Sequence, residues 1–163
     1  MNKNKTTYIA LTGIFAAAIC LSTAYIKIPI VVGYIHPGDS FIFLGAALIG
    51  VYGVFAAAAG SFLADILAGY PMYAIASLFI KGIMALVIFV ILKNKKGKYL
   101  HCIISLFAAE IIMVSGYFIF ECFLYDIEAA FAAVTFNALQ GFISIVLGVL
   151  LVPVMKLKNI FNF

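Results

Sequence analysis

An all-α integral membrane protein, a bundle of six transmembrane helices with both termini on the cytoplasmic side, is the fold class this sequence predicts. Three observations predict it. Of the 163 residues, 67% are hydrophobic and only 10% charged, with a mean hydropathy of +1.24, whereas soluble domains are roughly 45–50% apolar. At ~20 residues per span the chain has room for about six crossings, which leaves no space for a soluble catalytic domain or a nucleotide-binding fold. The charges are also placed asymmetrically. All ten basic residues are lysines, and six spans put Lys3, Lys5, Lys93, Lys95, Lys96, Lys98, Lys156 and Lys158 inside, leaving Lys27 outside and Lys81 within a span. Five spans would move the Lys93–Lys98 cluster outside, against the positive-inside tendency. The net charge of +4 is therefore a topology signal and not a nucleic-acid footprint.

The chain reads as a single transmembrane domain over 1–163. The first span, 7–26, carries Thr12, Ala16, Cys20 and Ala24 at four-residue spacing, with Gly13 and Ala17 beside them. Small residues so spaced make a flat face for close helix packing in lipid, either within the bundle or as a docking face for a separate membrane subunit. Lys3 and Lys5 ahead of the apolar run imitate a secretory signal, but the run continues to Ile26 without a polar cleavage region, as in an uncleaved first helix. In 27–38, Pro29, Gly33, Pro37 and Gly38 break any helix. This stretch reads as an outer lid loop carrying Tyr34 and His36 and leading to Asp39. Asp39 and Ser40 are residue types that cap the helix start that follows.

The second span, 36–50, is short, and Gly50 and Gly53 supply a tight turn into the third, 51–69. There Ser61, Asp65 and Gly69 share one face. An aspartate inside a span needs a partner or a wet cavity, and both a structural bond and ligand contact are open for Asp65. After the Gly69-Tyr70-Pro71 turn, the fourth span, 72–92, places Tyr73, Ser77 and Lys81 at four-residue spacing. Lys81 is too deep to snorkel, so its ammonium needs a carboxylate, with Glu110 one candidate, or a ligand. In the fifth span, 99–125, Glu110, Tyr117, Glu121 and Tyr125 fall within a narrow helical arc. The sixth, 129–155, carries a small polar stripe of Asn137, Gln140, Gly141, Ser144 and Gly148 and ends near Pro153.

Helical rise of ~1.5 Å per residue brings Tyr117, Glu121, Tyr125, Asn137 and Gln140 to similar depths in the outer half, near Asp65 and the loop. Apolar walls with a few placed polar groups are the usual make-up of a small-molecule pocket. Aromatic rings stack a flat ligand, amides read its edge, and a carboxylate favours a donor-rich or protonated heterocycle. Cys20, Cys102 and Cys122 occur singly, without metal-ligand spacing, so no metal site is expected. Ser61 with His36 is a poor nucleophile–base pair without a nucleophile motif, and no GxxxxGK[ST] motif is present, so no catalytic residues are expected.

The runs GDSFIFLGAALIGVYGVFAAAAGSFLADILAG, SLFIKGIMALVIFVIL, SGYFIFECFLY and FNALQG resemble, in order and over nearly the whole chain, the substrate-binding S components of energy-coupling factor (ECF) vitamin transporters. The likeness is to the small riboflavin, hydroxymethylpyrimidine or pyridoxine group. That resemblance implies a six-helix bundle in a prokaryotic plasma membrane that captures a vitamin with high affinity, the first outer loop closing over it. It implies a transmembrane coupling subunit and two ATPase subunits as partners, ATP being used by those partners and no cofactor by this chain. The docking face implied is the small-residue stripe on the first helix, here Thr12, Ala16, Cys20 and Ala24. The short chain without tryptophan favours a single-ring ligand, hydroxymethylpyrimidine or a vitamin B6 form. A self-sufficient secondary transporter or channel is the competing expectation, since acids in spans also serve proton coupling.

Overall fold

The computed structural model describes residues 3–30, 33–93 and 99–155. It contains helices α1 (Lys3–Tyr25), α2 (Gly38–Ile49), α3 (Val51–Ala68), α4 (Ala74–Leu92), α5 (Tyr99–Leu124) and α6 (Ile127–Met155). A 3-10 turn, Pro71–Tyr73, leads into α4. Among the described residues, five helices are long and apolar enough to cross a membrane: α1, α3, α4 with its preceding turn, α5 and α6. The sixth, α2, has 12 residues and at ~1.5 Å each reaches roughly 18 Å, short of the ~30 Å hydrocarbon core. Lys95, Lys96, Lys98, Lys156 and Lys158, which carry much of the expected charge asymmetry, lie outside the described residues.

The stretch expected as an irregular lid is a small antiparallel hairpin. Strand β1 (Ile28–Pro29) pairs with β2 (Tyr34–Ile35), Ile28 opposite Ile35 and Pro29 opposite Tyr34. Gly33 takes φ +79, a backbone conformation that a Cβ disfavours.

Neighbours follow chain order from α3 to α6, with α1 lying on α3, while α2 touches α1, α3, α4 and α6. The short helix thus fills the middle of the bundle, which is why nine of its 12 residues are buried. Phe43 of α2 meets Ile19, Met84, Ile88, Leu106 and Met113 in the central core. A single long helix across 39–69 is excluded by Gly50, whose φ of +63 turns the chain back on itself. Gly53 then sits so close to α2 that a Cβ there would lie 2.5 Å from the Gly45 carbonyl.

The α1–α3 contact is equally tight, because a Cβ on Gly60 would stand 2.7 Å from the Ala16 carbonyl oxygen. Cys20 and Ala24 are buried against Ala64 and Ala68, and the half-buried Thr12 hydroxyl donates to the Tyr8 carbonyl at 2.8 Å. Three of the four residues read as a docking face, Ala16, Cys20 and Ala24, therefore pack on this protein's own α3. In lipid, dispersion between close backbones drives helix association, so the smallest face of α1 was taken up by the glycine of its nearest neighbour. What α1 leaves exposed is the adjacent strip with Gly13 and Ala17, and a Cβ on Gly13 would meet nothing within 4 Å.

Gly60→Leu should destabilise the detergent-solubilised protein by roughly 1–3 kcal/mol, the usual cost of overpacking, and Gly13→Leu should leave it unchanged. Thermal unfolding midpoints of the two variants check this.

Candidate functional site

Lys81 and Asp39 are both completely buried, with Nζ and Oδ1 2.6 Å apart. The second Asp39 oxygen accepts from Gln140 Nε2 at 2.7 Å. Gln140 Oε1 in turn accepts the His36 backbone N–H at 3.0 Å. Nζ also stands 5.2 Å from the Tyr117 ring centroid, within cation–π range. Two expectations are corrected here. Asp39 is neither a lid residue nor a cap: α2 starts at Gly38 with Pro37 in the cap position and no side-chain cap bond. Magnitudes explain the choice, since a cap contributes about 1 kcal/mol whereas an unpaired ammonium inside the bundle costs several. Lys81 is correspondingly a structural cation paired with Asp39, not with Glu110, and it does not line the cavity described next.

One polar cavity of about 30 Å³ lies above this network, lined by Gly33, Tyr34, His36, Asp65, Tyr73, Ser77, Tyr117, Glu121, Asn137 and Gln140. Of the expected site residues, Asp65, Tyr117, Glu121, Asn137, Gln140, Tyr34 and His36 converge on it. Tyr125 does not. Its backbone N–H still bonds the Glu121 carbonyl at 2.9 Å, so the helical arc holds, but Tyr125 is nearly half exposed and meets the site only through its side-chain contact with Tyr73. Tyr73 and Ser77 are the additions. Their four-residue spacing with Lys81 was legible, but the charge of Lys81 drew the assignment away from them.

Each acid in the cavity is bonded to a tyrosine, and Asp65 lies in addition beside the Ser77 hydroxyl. Tyr34 Oη donates to Asp65 Oδ1 at 2.5 Å, and Tyr73 Oη to Glu121 Oε1 at 3.3 Å. Ser77 Oγ and Tyr117 Oη are 2.7 Å apart. This leaves three buried polar atoms of the cavity without a hydrogen-bond partner: Asp65 Oδ2, Glu121 Oε2 and Asn137 Nδ2. Buried polar atoms in folded proteins are almost always bonded, so three orphans on residues around one small space make it the candidate site.

The hairpin is held over the cavity from two directions. Lys27 Nζ donates to the Ala68 carbonyl at 2.5 Å, at the end of α3, and stands 5.6 and 5.7 Å from the Tyr34 and Tyr70 ring centroids. On the other flank, His36 Nδ1 accepts the Gly38 N–H at 3.1 Å and lies 3.3 Å from Thr23 Oγ1. Burial, with a smaller push from the Lys81 ammonium against a pull from Asp39, holds the His36 imidazole down at about 4. It is therefore neutral near pH 7, with its remaining proton on Nε2 because Nδ1 is an acceptor. Burial, followed by the Asp65 carboxylate, pushes the Tyr34 phenol up, so it remains a donor.

A helical membrane protein with a polar cavity beneath a hairpin and a paired Lys81–Asp39 frame under it has the form of a membrane-embedded capture subunit. The comparison with known families names the class: the chain matches the ECF-type riboflavin transporter S component over residues 3–157 and belongs to that family. It is also 33% identical over 134 residues, 80% of this chain and 89% of the relative, to a Pyrococcus woesei protein described as an uncharacterized protein in the gap 3' region. Membership makes this a transport protein and not an enzyme, a multi-pass membrane subunit that confers substrate specificity in vitamin uptake. Its partners are, in general, a transmembrane coupling subunit and ATPase subunits.

Lys81→Met should destabilise the fold by roughly 3–5 kcal/mol because it strands Asp39, while Lys81→Met with Asp39→Leu should recover a large part of the loss. A double-mutant cycle of unfolding free energies in detergent measures that coupling.

Proposed function

We propose that this chain is the capture subunit for a single-ring, donor-rich vitamin or precursor, hydroxymethylpyrimidine or a vitamin B6 form. Uptake is driven by ATPase partners through a coupling subunit in a prokaryotic plasma membrane. The observation that carries the reading is the set of three orphaned atoms, two carboxyl oxygens and one amide nitrogen, on Asp65, Glu121 and Asn137. A ring bearing an amino or hydroxymethyl group and a ring nitrogen offers donors to the two acids and an acceptor to the amide. Tyr34, Tyr73 and Tyr117 supply aromatic surface beside them.

Riboflavin is the second reading, favoured by the description of the matching family. Its ribityl hydroxyls could meet the acids, although its ring edge is dominated by acceptors. Either ligand requires the site to widen, since a cavity of about 30 Å³ has room for water-sized molecules and not for a ring. The hairpin wall at Tyr34 and His36 is the natural part to yield, as the lid. Residues Lys81 and Asp39 act beneath the site as its frame.

The reversal at Gly50 supports counting α2 as a short sixth span, which puts both termini on one side. The lysine asymmetry in the sequence makes that side cytoplasmic. For docking to the coupling subunit, the exposed Gly13 and Ala17 strip of α1 replaces the buried one.

Calorimetric titration of the purified protein with hydroxymethylpyrimidine, pyridoxine and riboflavin tests the ligand. The single-ring compounds should bind more tightly, and Glu121→Gln should weaken binding at least about tenfold, ~1.4 kcal/mol. Tighter binding of riboflavin would select the second reading, and unchanged affinity in the variant would remove Glu121 from the site. Ala17→Trp should leave ligand affinity intact and abolish uptake by the assembled transporter; normal uptake would exclude that strip from the docking face.

A further inference from the structure

Resting on the reading of this cavity as a vitamin site, we propose that it admits only the unphosphorylated form of its ligand. A vitamin met as its phosphate monoester would then need hydrolysis before capture.

Among the described residues, no free cation lines the cavity to receive a phosphate. The whole chain contains no arginine, the side chain best shaped to bind phosphate in a bidentate manner. Of the ten residues lining the cavity, only His36 can become cationic, and its imidazole is neutral near pH 7. Lys81 lies beneath the floor with its charge already given to Asp39 at 2.6 Å. Lys27 closes the end of α3 through the Ala68 carbonyl at 2.5 Å. The described lysines Lys5 and Lys93 stand at the opposite ends of α1 and α4.

In place of cations the cavity holds two acids, Asp65 and Glu121, each with an oxygen lacking a partner. In either protonation state they supply no positive charge. Ionised, they repel the ester. The α2 helix start, a potential source of free N–H groups for an anion, gives the Gly38 N–H to His36 Nδ1 at 3.1 Å and has the Asp39 carboxylate in its first turn. A phosphate dianion drawn into this space would lose its water and meet no cation among the lining residues, Lys27 standing behind the Tyr34 ring, a cost that exceeds what ring contacts return.

The reaction class that must supply the substrate from such an ester is phosphate monoester hydrolysis. Water attacks phosphorus, the bond from phosphorus to the ester oxygen breaks, and the free hydroxymethyl compound leaves with inorganic phosphate. The same charge logic makes the site tolerant of a protonated ring nitrogen or amine.

The test uses the purified full chain and calorimetry with matched pairs: hydroxymethylpyrimidine and its monophosphate, pyridoxine and its 5'-phosphate, riboflavin and its 5'-phosphate. For each parent that binds, the phosphate ester should bind at least about a hundredfold more weakly. The uncharged 5'-acetate of pyridoxine is the size control and should lose much less than the phosphate. An ester within tenfold of its parent, or an ester that binds where no parent does, would overturn the selectivity while leaving a vitamin site in place. Equal losses for acetate and phosphate would show exclusion by size and overturn the role of charge. Binding by none of the three parents would overturn the vitamin reading itself, and the selectivity with it.

Discussion

The ammonium of Lys81 sits where lipid and protein offer it almost nothing, and the bundle is arranged around supplying one carboxylate. Asp39 reaches it from 42 residues away in sequence, which requires the first turn of α2 to lie against the middle of α4. Gln140, 101 residues from Asp39, completes the bonding of that carboxylate from α6 and passes its own oxygen to the backbone of His36. Buried ion pairs rarely add net stability compared with a well-packed apolar core, but they are intolerant of misplacement. The pair therefore acts as a register for α2, α4, α6 and the hairpin, four segments that must be placed correctly relative to one another for a cavity to exist between them.

That arrangement also explains the division of labour among the charged groups. Acids and bases near the outer half of the bundle are sorted into two layers. The lower layer, Lys81 with Asp39 and Gln140, is fully bonded and rigid. The upper layer, Asp65 and Glu121 with their tyrosines, is half bonded, each acid keeping one oxygen free. Preoriented acceptors of this kind lose little freedom when a ligand arrives, which is how a site gains affinity from few contacts. Tyr34 belongs to both the wall and the hairpin, so a ligand donor that competes for Asp65 acts directly on the hairpin's attachment.

Much of this was readable in the residues because membrane burial makes polar side chains conspicuous. The helical arc of Tyr117 and Glu121, the Asn137 and Gln140 stripe, and the isolated Asp65 all pointed inward and do converge. The failures have physical causes. Asp39 looked like a cap because capping is a local preference, and no local pattern shows that a lysine on another helix needs a partner more. Tyr125 keeps its place in the periodicity, but the arc runs past the cavity there, and its half-exposed ring meets the site only through Tyr73. The α1 stripe was recognised as a close-packing face, but flatness alone does not tell which neighbour uses it; Gly60, the residue that does, lies 44 positions away from Ala16. The hairpin was hidden because two-residue strands leave no alternation to read.

The short second helix has a consequence for the space above it. A full crossing at that central position would run through the volume now shared by the cavity and the tyrosines, so the site is in effect the missing upper half of a span. The first turn of α2 lies behind the cavity wall, where Asp39 holds the lining residue Gln140. One added turn at its start would extend the helix by roughly 5.4 Å and take in the segment that carries His36, a lining residue. The length of one internal helix would then set the room left for a ligand together with the side chains that determine ligand chemistry.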